Sequence, residues 1–247
     1  LFALLDRVWR AADAEATIDL ATSLYGLLSR LGKPRLLERV GQIRDAAAAA
    51  AGDDWSHARF EATRTLIEQQ LGSGQLREAL AGAQRLLQRA RDAGTQGYPA
   101  ADSDLAIACV VLARALQISG GPEHAVPLLD EARRRFETFA KERPGKGAER
   151  MASVCFAEQG DCLSNLGRLD EAAAAYEENI RRAEELADDR QVAVGKGQLG
   201  SVRLLQGRYP EALKANEDAR KRFTKLEEPA SSLSDFPCAG SVYDIII

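Results

Sequence analysis

The chain has 247 residues, of which 45% are hydrophobic, 28% are charged and 6% are aromatic, and its formal net charge is −4 at pH 7. This balance is typical of a folded protein and excludes an intrinsically disordered chain. Lysine and arginine are not gathered into a basic stripe, so the sequence predicts no nucleic-acid partner.

Helical periodicity together with glycine and proline positions predicts eleven helices along the chain. Their expected ranges are 2–14, 17–31, 34–51, 55–72, 75–93, 102–119, 122–141, 147–166, 169–187, 190–206 and 209–227. We expect the first to be the second helix of an interrupted repeat. The remaining ten pair into hairpins near 17–51, 55–93, 102–141, 147–187 and 190–227, and residues 1–230 together form one predicted repeat array.

A glycine marks the turn inside each predicted hairpin. Spacings of 42, 46, 47 and 40 residues separate Gly32, Gly74, Gly120, Gly167 and Gly207. Glycine adopts the left-handed conformation at a helix end with little cost. Proline follows within two or three residues of three of these glycines, at Pro34, Pro122 and Pro210. Because proline is tolerated in a first helical turn, the signals agree on where the second helix begins.

The two C-terminal hairpins repeat each other at an offset of 40 residues. The repeated pairs are Gly160 with Gly200, Gly167 with Gly207, and Ala172 with Ala212. A fixed period in this range is the signature of repeats that bury their apolar faces by stacking on one another. Stacked helices present an extended surface, which favours a binding protein over an enzyme.

These repeats resemble the tetratricopeptide repeat (TPR) family. The matching pattern is Phe156, Gly160, Leu163, Gly167, Ala172 and Tyr176. Asn216 replaces the aromatic residue in the following hairpin. The resemblance extends over residues 17–227 and is most specific in the last two repeats. The period exceeds the TPR standard of about 34 residues and resembles the arrays of kinesin light chains and of bacterial STAND (NB-ARC/NACHT) ATPases.

The resemblance implies an all-α fold, a right-handed superhelical solenoid of about five TPR-like hairpins. It also implies a concave groove lined by the first helix of each hairpin, where a protein or peptide partner would bind. Carried over by register from the turn glycines, the groove residues are Arg64, Glu68, Arg114, Gln117, Asp161, Asn165 and Ser201. The alternative for Arg64 and Glu68 is an ion pair within one helix, four residues apart.

We therefore expect the chain to be a protein–protein interaction scaffold. It would form part of a larger bacterial signalling protein in the cytoplasm. The alternative is a regulatory sensor arm that binds a small molecule or short peptide and controls an attached effector. A deep apolar pocket would favour the sensor arm, and an open polar trough would favour the scaffold. An enzyme is not expected, because no convergent set of titratable groups is evident from the sequence.

Cysteine and histidine positions predict neither a metal site nor a cofactor. Cys155 and Cys162 are seven residues apart on one predicted helix, which separates them by about 10 Å, too far for a disulfide. No CxxC spacing is present, so zinc is not expected. His57 and His124 lie in different repeats. The cysteines are interpreted as small core residues in a reducing compartment.

The two ends of the sequence depart from the repeat pattern. The apolar run Leu1–Leu5 is too short for a signal peptide or a membrane span. The first residue is not methionine, which indicates a piece of a longer protein. Residues 231–247 lack helical periodicity. Three interpretations stay open: a peptide docked on the repeats, a disordered tail, or a segment that is not native to the protein. Solenoid ends would expose apolar faces and favour self-association.

Overall fold

The computed structural model describes residues 2–31, 34–50, 55–98, 100–142 and 146–226. In these ranges the regular secondary structure is eleven α-helices, which confirms the all-α prediction. Their bounds are α1 Phe2–Arg10, α2 Ala14–Arg30, α3 Pro34–Ala50, α4 His57–Gly72, α5 Leu76–Ala93, α6 Ala101–Ile118, α7 Pro122–Glu142, α8 Lys146–Asn165, α9 Leu169–Glu185, α10 Asp189–Leu205 and α11 Tyr209–Lys225. The predicted turn at Gly32 and the tail 231–247 lie outside the described residues.

The chain divides into two compact units, Leu1–Ala115 and Leu116–Ile247, with the boundary inside α6. In each unit, helices adjacent in sequence pack against each other as repeat hairpins. The prediction of stacked helical hairpins is therefore confirmed.

The first unit is held together by small apolar clusters that join successive helices. One cluster joins α1, α2 and α3 through Leu5, Leu24 and Val40. A second joins α2 and α3 to α4 through Ile18, Ala47 and Ala58. Burial of apolar side chains contributes about 25 cal/mol per Å² of area removed from water. These clusters therefore stabilise the packing of each helix against the next.

The second unit buries its apolar side chains mainly between α8, α9 and α10. Leu163, Ala172 and Tyr176 pack with Val202, which lies on α10. A small residue opposite a large one allows this close packing: a Cβ added at Gly160 would lie 2.6 Å from Cε1 of Tyr176. The small and large residues of the sequence pattern are thus the residues that pack α8 against α9.

The turns of the last two hairpins have the same hydrogen bonds. Gly167 has φ 72° and Gly207 has φ 74°. The amide of Arg168 donates to the carbonyl of Leu163 at 2.9 Å, and the amide of Arg208 donates to the carbonyl of Arg203 at 2.8 Å. These bonds satisfy the last carbonyls of the first helix and direct the chain back along it.

Candidate protein-binding surface

Three helices that precede a turn glycine end with an exposed side chain. The residue two positions before the turn glycine is Ile118 in α6, Asn165 in α8 and Leu205 in α10, and all three are exposed. Leu205 is 65% exposed. Core contacts are made further back along each helix, so this repeated position stays accessible. A protein partner could cover such isoleucine and leucine side chains.

Polar side chains from the predicted groove set lie in the same last turns. Asn165 is itself the exposed residue of α8, and Gln117 precedes Ile118 in α6. Ser201, one turn before Leu205, is half-buried, and its hydroxyl donates to the carbonyl of Gly197 at 3.2 Å. We name Gln117, Ile118, Asn165, Ser201 and Leu205 the first-helix surface. It combines amide and hydroxyl groups with apolar side chains.

Asp161, another predicted groove residue, lies inside the second unit. It is only 8% exposed. Its Oδ1 accepts a hydrogen bond from the hydroxyl of Tyr176 at 2.5 Å and another from Nε2 of Gln198 at 3.0 Å. The carboxylate therefore connects α8 to α9 and α10, and it holds the helices that carry the first-helix surface.

The remaining predicted groove residues lie in α4 and α6. Arg64 donates to Glu68 at 2.7 Å and to Glu61 at 2.6 Å, all within α4. The structure thus contains the intrahelical ion pair considered as the alternative for Arg64 and Glu68. Arg114 is half-buried in α6. These three residues belong to the first unit and Gln117 to the second.

The second helices of the hairpins carry a network of arginine and glutamate. Arg133 and Arg182 both bind Glu137, at 3.1 and 2.9 Å. Their guanidinium groups lie 5.2 and 4.7 Å from the centroid of the Phe156 ring. Arginine over an aromatic ring is a favourable arrangement. The Arg133 side chain is mostly buried in this network.

Glu178 joins the same network from α9. Its carboxylate accepts hydrogen bonds from Arg181 at 2.6 and 2.8 Å and from Arg182 at 2.7 Å. The hydrogen bonds from Arg181, followed by those from Arg182, lower the pKa of Glu178 to about 2. These charges satisfy one another, which favours a role in packing α8 and α9 over a role in binding a charged partner.

An open cleft of about 620 Å³ lies between α7, α8 and α9. Alanine and leucine side chains form part of it, while six of its nine lining residues are charged. The charged residues are Glu137, Lys141, Glu149, Arg181, Arg182 and Glu185. Positive and negative groups are equal in number, so the cleft has no strong preference for a charged ligand.

Comparison with protein families decides the identity of the repeats. The tetratricopeptide repeat family matches residues 153–225, which include about two thirds of α8 and all of α9 to α11. Residues 153–225 are therefore similar to tetratricopeptide repeats. A comparison with curated proteins gives no match. Among the described helices, none combines the length and hydrophobicity that crossing a membrane requires.

The fold of the chain is similar to those of several solved repeat arrays. BtubC (BKLC) from P. vanneervenii aligns with a TM-score of 0.70 and 16% identity, over 90% of this chain and 88% of the other. An array of nearly identical TPR-like repeats from a Podosopora anserina kinesin light chain-like protein aligns in two structures. The first has a TM-score of 0.65 and 16% identity, over 87% of this chain and 98% of the other. The second has a TM-score of 0.60 and 17% identity, over 86% and 99%.

Sequence reasoning missed two members of the first-helix surface. Ile118 and Leu205 were not selected, because an exposed apolar residue cannot be distinguished from a buried one by its type alone. Their spacing from the turn glycine was the available signal. The stacking of Arg133 and Arg182 on Phe156 left no such signal, since the three residues come from different helices.

Proposed function

We propose that this chain is a protein–protein interaction scaffold that binds a peptide or protein partner on the first-helix surface. One observation carries the proposal: the position two residues before a turn glycine is exposed in α6, α8 and α10, and two of these three residues are apolar. Apolar side chains ringed by polar groups are the composition of a recognition surface. The other predicted groove residues, Arg64, Glu68 and Arg114, lie in the first unit and are proposed as partner-binding residues there.

The wider setting of the scaffold is proposed on the resemblance to STAND ATPase arrays. We infer that the chain works in the cytoplasm as part of a larger bacterial signalling protein. Buried thiols at Cys109, Cys155 and Cys162, none of them in a disulfide, are in keeping with a reducing compartment. Self-association is a further proposal, supported by the exposed side chains of Tyr209 and Leu213 on α11.

The experiment that tests the binding surface uses two matched leucines. Leu205 is 65% exposed on the first helix of its hairpin, and Leu213 is 62% exposed on the second helix. Peptides are selected from a displayed random library against the wild-type chain. Their affinity is then measured by fluorescence polarisation for the wild type, Leu205→Arg and Leu213→Arg.

We expect Leu205→Arg to weaken binding at least tenfold, because it places a charge where the partner buries an apolar side chain. Leu213→Arg should bind like the wild type. Asn165→Arg tests the neighbouring hairpin in the same way. If Leu213→Arg alone weakens binding, the partner binds the second helices and the proposed surface is wrong.

A second candidate function is favoured by the cleft between α7, α8 and α9. Its volume of about 620 Å³ lies within the usual range of about 300–1,000 Å³ for small-molecule sites. A regulatory sensor arm could hold a small zwitterionic molecule there, between Arg181 and Glu149. A small-molecule screen by thermal shift, repeated on Arg181→Gln, separates this function from the scaffold, since the first-helix surface does not include Arg181.

A further inference from the structure

Three side chains able to bind a metal ion converge in the first unit. His57 and Glu61 come from the first two turns of α4, and Asp104 comes from the first turn of α6. One ligand atom of each lies within 4.8 Å of the others. Residues four apart on a helix share a face, so His57 and Glu61 both point to the side on which Asp104 lies.

Asp104 is the buried member of this cluster. It is 0% exposed, and Nδ1 of His57 lies 2.9 Å from both of its carboxylate oxygens. The hydroxyl of Tyr98 donates to Oδ2 at 2.8 Å. The partners that the structure gives this carboxylate are thus an imidazole and a phenol, neither of which is permanently charged. A buried carboxylate is stable when a positive charge balances it, and a metal ion would supply that charge.

Outer contacts already orient the two carboxylates. Arg64 donates to both oxygens of Glu61, at 3.1 and 2.6 Å, while Tyr98 fixes Asp104. In protein metal sites, ligands are commonly held by hydrogen bonds of this kind, which set their direction and tune their affinity. The arrangement around the cluster is therefore the one that a metal site needs.

Solvent reaches the cluster from the side of His57. Its side chain is 49% exposed, whereas the Asp104 side chain is enclosed. An ion could enter past the imidazole, and water could complete its coordination. Three protein ligands with one open position are sufficient to hold zinc.

The distances are close to those of an occupied site. Ligand atoms bound to zinc at about 2.0–2.2 Å from the ion lie roughly 3–3.5 Å from one another. Nδ1 of His57 lies 2.9 Å from the Asp104 carboxylate, and the ligand atoms of all three residues lie within 4.8 Å of one another, so side-chain shifts of about 1–2 Å bring them to this spacing. Imidazole and carboxylate together suit zinc and the neighbouring transition metals.

We propose that His57, Glu61 and Asp104 bind a divalent transition-metal ion of the zinc type. The ion takes the place of the proton between the imidazole and the buried carboxylate. It ties the start of α4 to the start of α6, two segments 47 residues apart. Metal binding thereby stabilises the first unit, because the ion binds the folded chain better than the unfolded one.

The test is a zinc titration of the full chain after treatment with EDTA. Isothermal titration calorimetry measures stoichiometry and affinity for the wild type, His57→Ala, Glu61→Gln and Asp104→Asn. Thermal unfolding of each variant without metal shows whether it is folded. Because Asp104 is buried and its substitution could disturb folding, Glu61→Gln, at a partly exposed position, is the variant that decides.

Matched controls remove the same chemical groups elsewhere. His124→Ala removes the other histidine of the chain, and Asp102→Asn changes a carboxylate two residues before Asp104 in the same helical turn. Cys238→Ser removes a thiol from the tail, which could bind zinc by itself. Cobalt absorption of the wild type and of Cys238→Ser then shows whether a sulfur atom ligates the metal.

We expect one zinc ion per chain, a higher melting temperature with zinc, and affinity at least tenfold weaker in the three ligand variants. The three controls should bind like the wild type. The proposal is overturned if millimolar zinc gives no saturable binding, if folded Glu61→Gln binds as tightly as the wild type, or if Cys238→Ser or His124→Ala loses the site.

Discussion

The hairpin of α8 and α9 and the hairpin of α10 and α11 are related by 40 residues, yet equivalent positions differ in exposure. Ala173 on α9 is 2% exposed. Its equivalent on α11, Leu213, is larger and more apolar but 62% exposed. Leu169 is half-buried, while its equivalent Tyr209 is exposed. Hydrophobicity at this register therefore does not decide burial.

The difference arises from neighbours. Helix α9 packs against both α8 and α10, and Ala173 shares a cluster with Val202 of α10. In the described part of the chain, α11 packs against α10 on one side. A single hairpin cannot bury both faces of its second helix, so the following hairpin completes the core of the one before it.

A second difference lies in the contact within each hairpin. Gly160 faces the ring of Tyr176, and its equivalent Gly200 faces the side chain of Asn216. The ring is buried with its hydroxyl bound to Asp161, whereas Asn216 is only half-buried. The same small residue is therefore required more strictly in the first hairpin than in the second.

The largest expected effect separates Ala173 from Leu213. Ala173→Asp places a carboxylate in the core between α9 and α10, and it should lower the free energy of unfolding by about 3 kcal/mol or more. Leu213→Asp should change it by no more than about 0.5 kcal/mol, because the side chain is in water. Urea unfolding measures both. Equal losses for the two variants would mean that α11 is covered in solution.

A smaller effect should separate the two glycines. Overpacking Gly160→Ala against the Tyr176 ring costs about 1–3 kcal/mol, partly offset by alanine's helix propensity of up to about 1 kcal/mol. We expect a net loss of about 1–2 kcal/mol. For Gly200→Ala the flexible Asn216 side chain can rotate away, so the two contributions should nearly cancel. Urea unfolding measures the free energy of unfolding of both variants. A larger loss for Gly200→Ala than for Gly160→Ala would contradict the prediction.

The smallest effect concerns acid stability, at Glu178 and its equivalent Asp218. Arginine hydrogen bonds lower the pKa of Glu178 to about 2, and the hydrogen bond from Lys196 lowers that of Asp218. A lowered pKa in the folded state contributes stability above the unfolded pKa of about 4.3 for Glu, and that contribution is lost as pH falls toward 2.

Glu178→Gln should therefore lower the free energy of unfolding by up to about 1 kcal/mol at pH 7 and by progressively less toward pH 3. Asp218→Asn should show a smaller change in the same direction, since Asp218 accepts its hydrogen bond from a lysine instead of from two arginines and is more exposed than Glu178. Unfolding free energies measured from pH 7 to pH 3 test this. If the stability lost by Glu178→Gln grew as the pH fell, the predicted pH dependence would be wrong.

Much of the fold could be predicted because its signals are local. Gly167 and Gly207 mark turns through their own backbone preference, and Pro210 marks the start of α11. Less of the candidate surface could be predicted. The position of Asn165 followed from register, but Asp161, chosen by the same register, is a buried link between helices. Register gives the side of a helix, and exposure depends on what packs there.

By itself, the sequence determined that this protein is a set of stacked helical hairpins. Helix periodicity, turn glycines and the alternation of small and large residues act over a few residues or within one hairpin, so they can be read along the chain. Only the tertiary structure decided that Leu213 is exposed where Ala173 is buried, and that His57 meets Asp104. Both depend on segments distant in sequence, and their contacts arise from packing that no local pattern records.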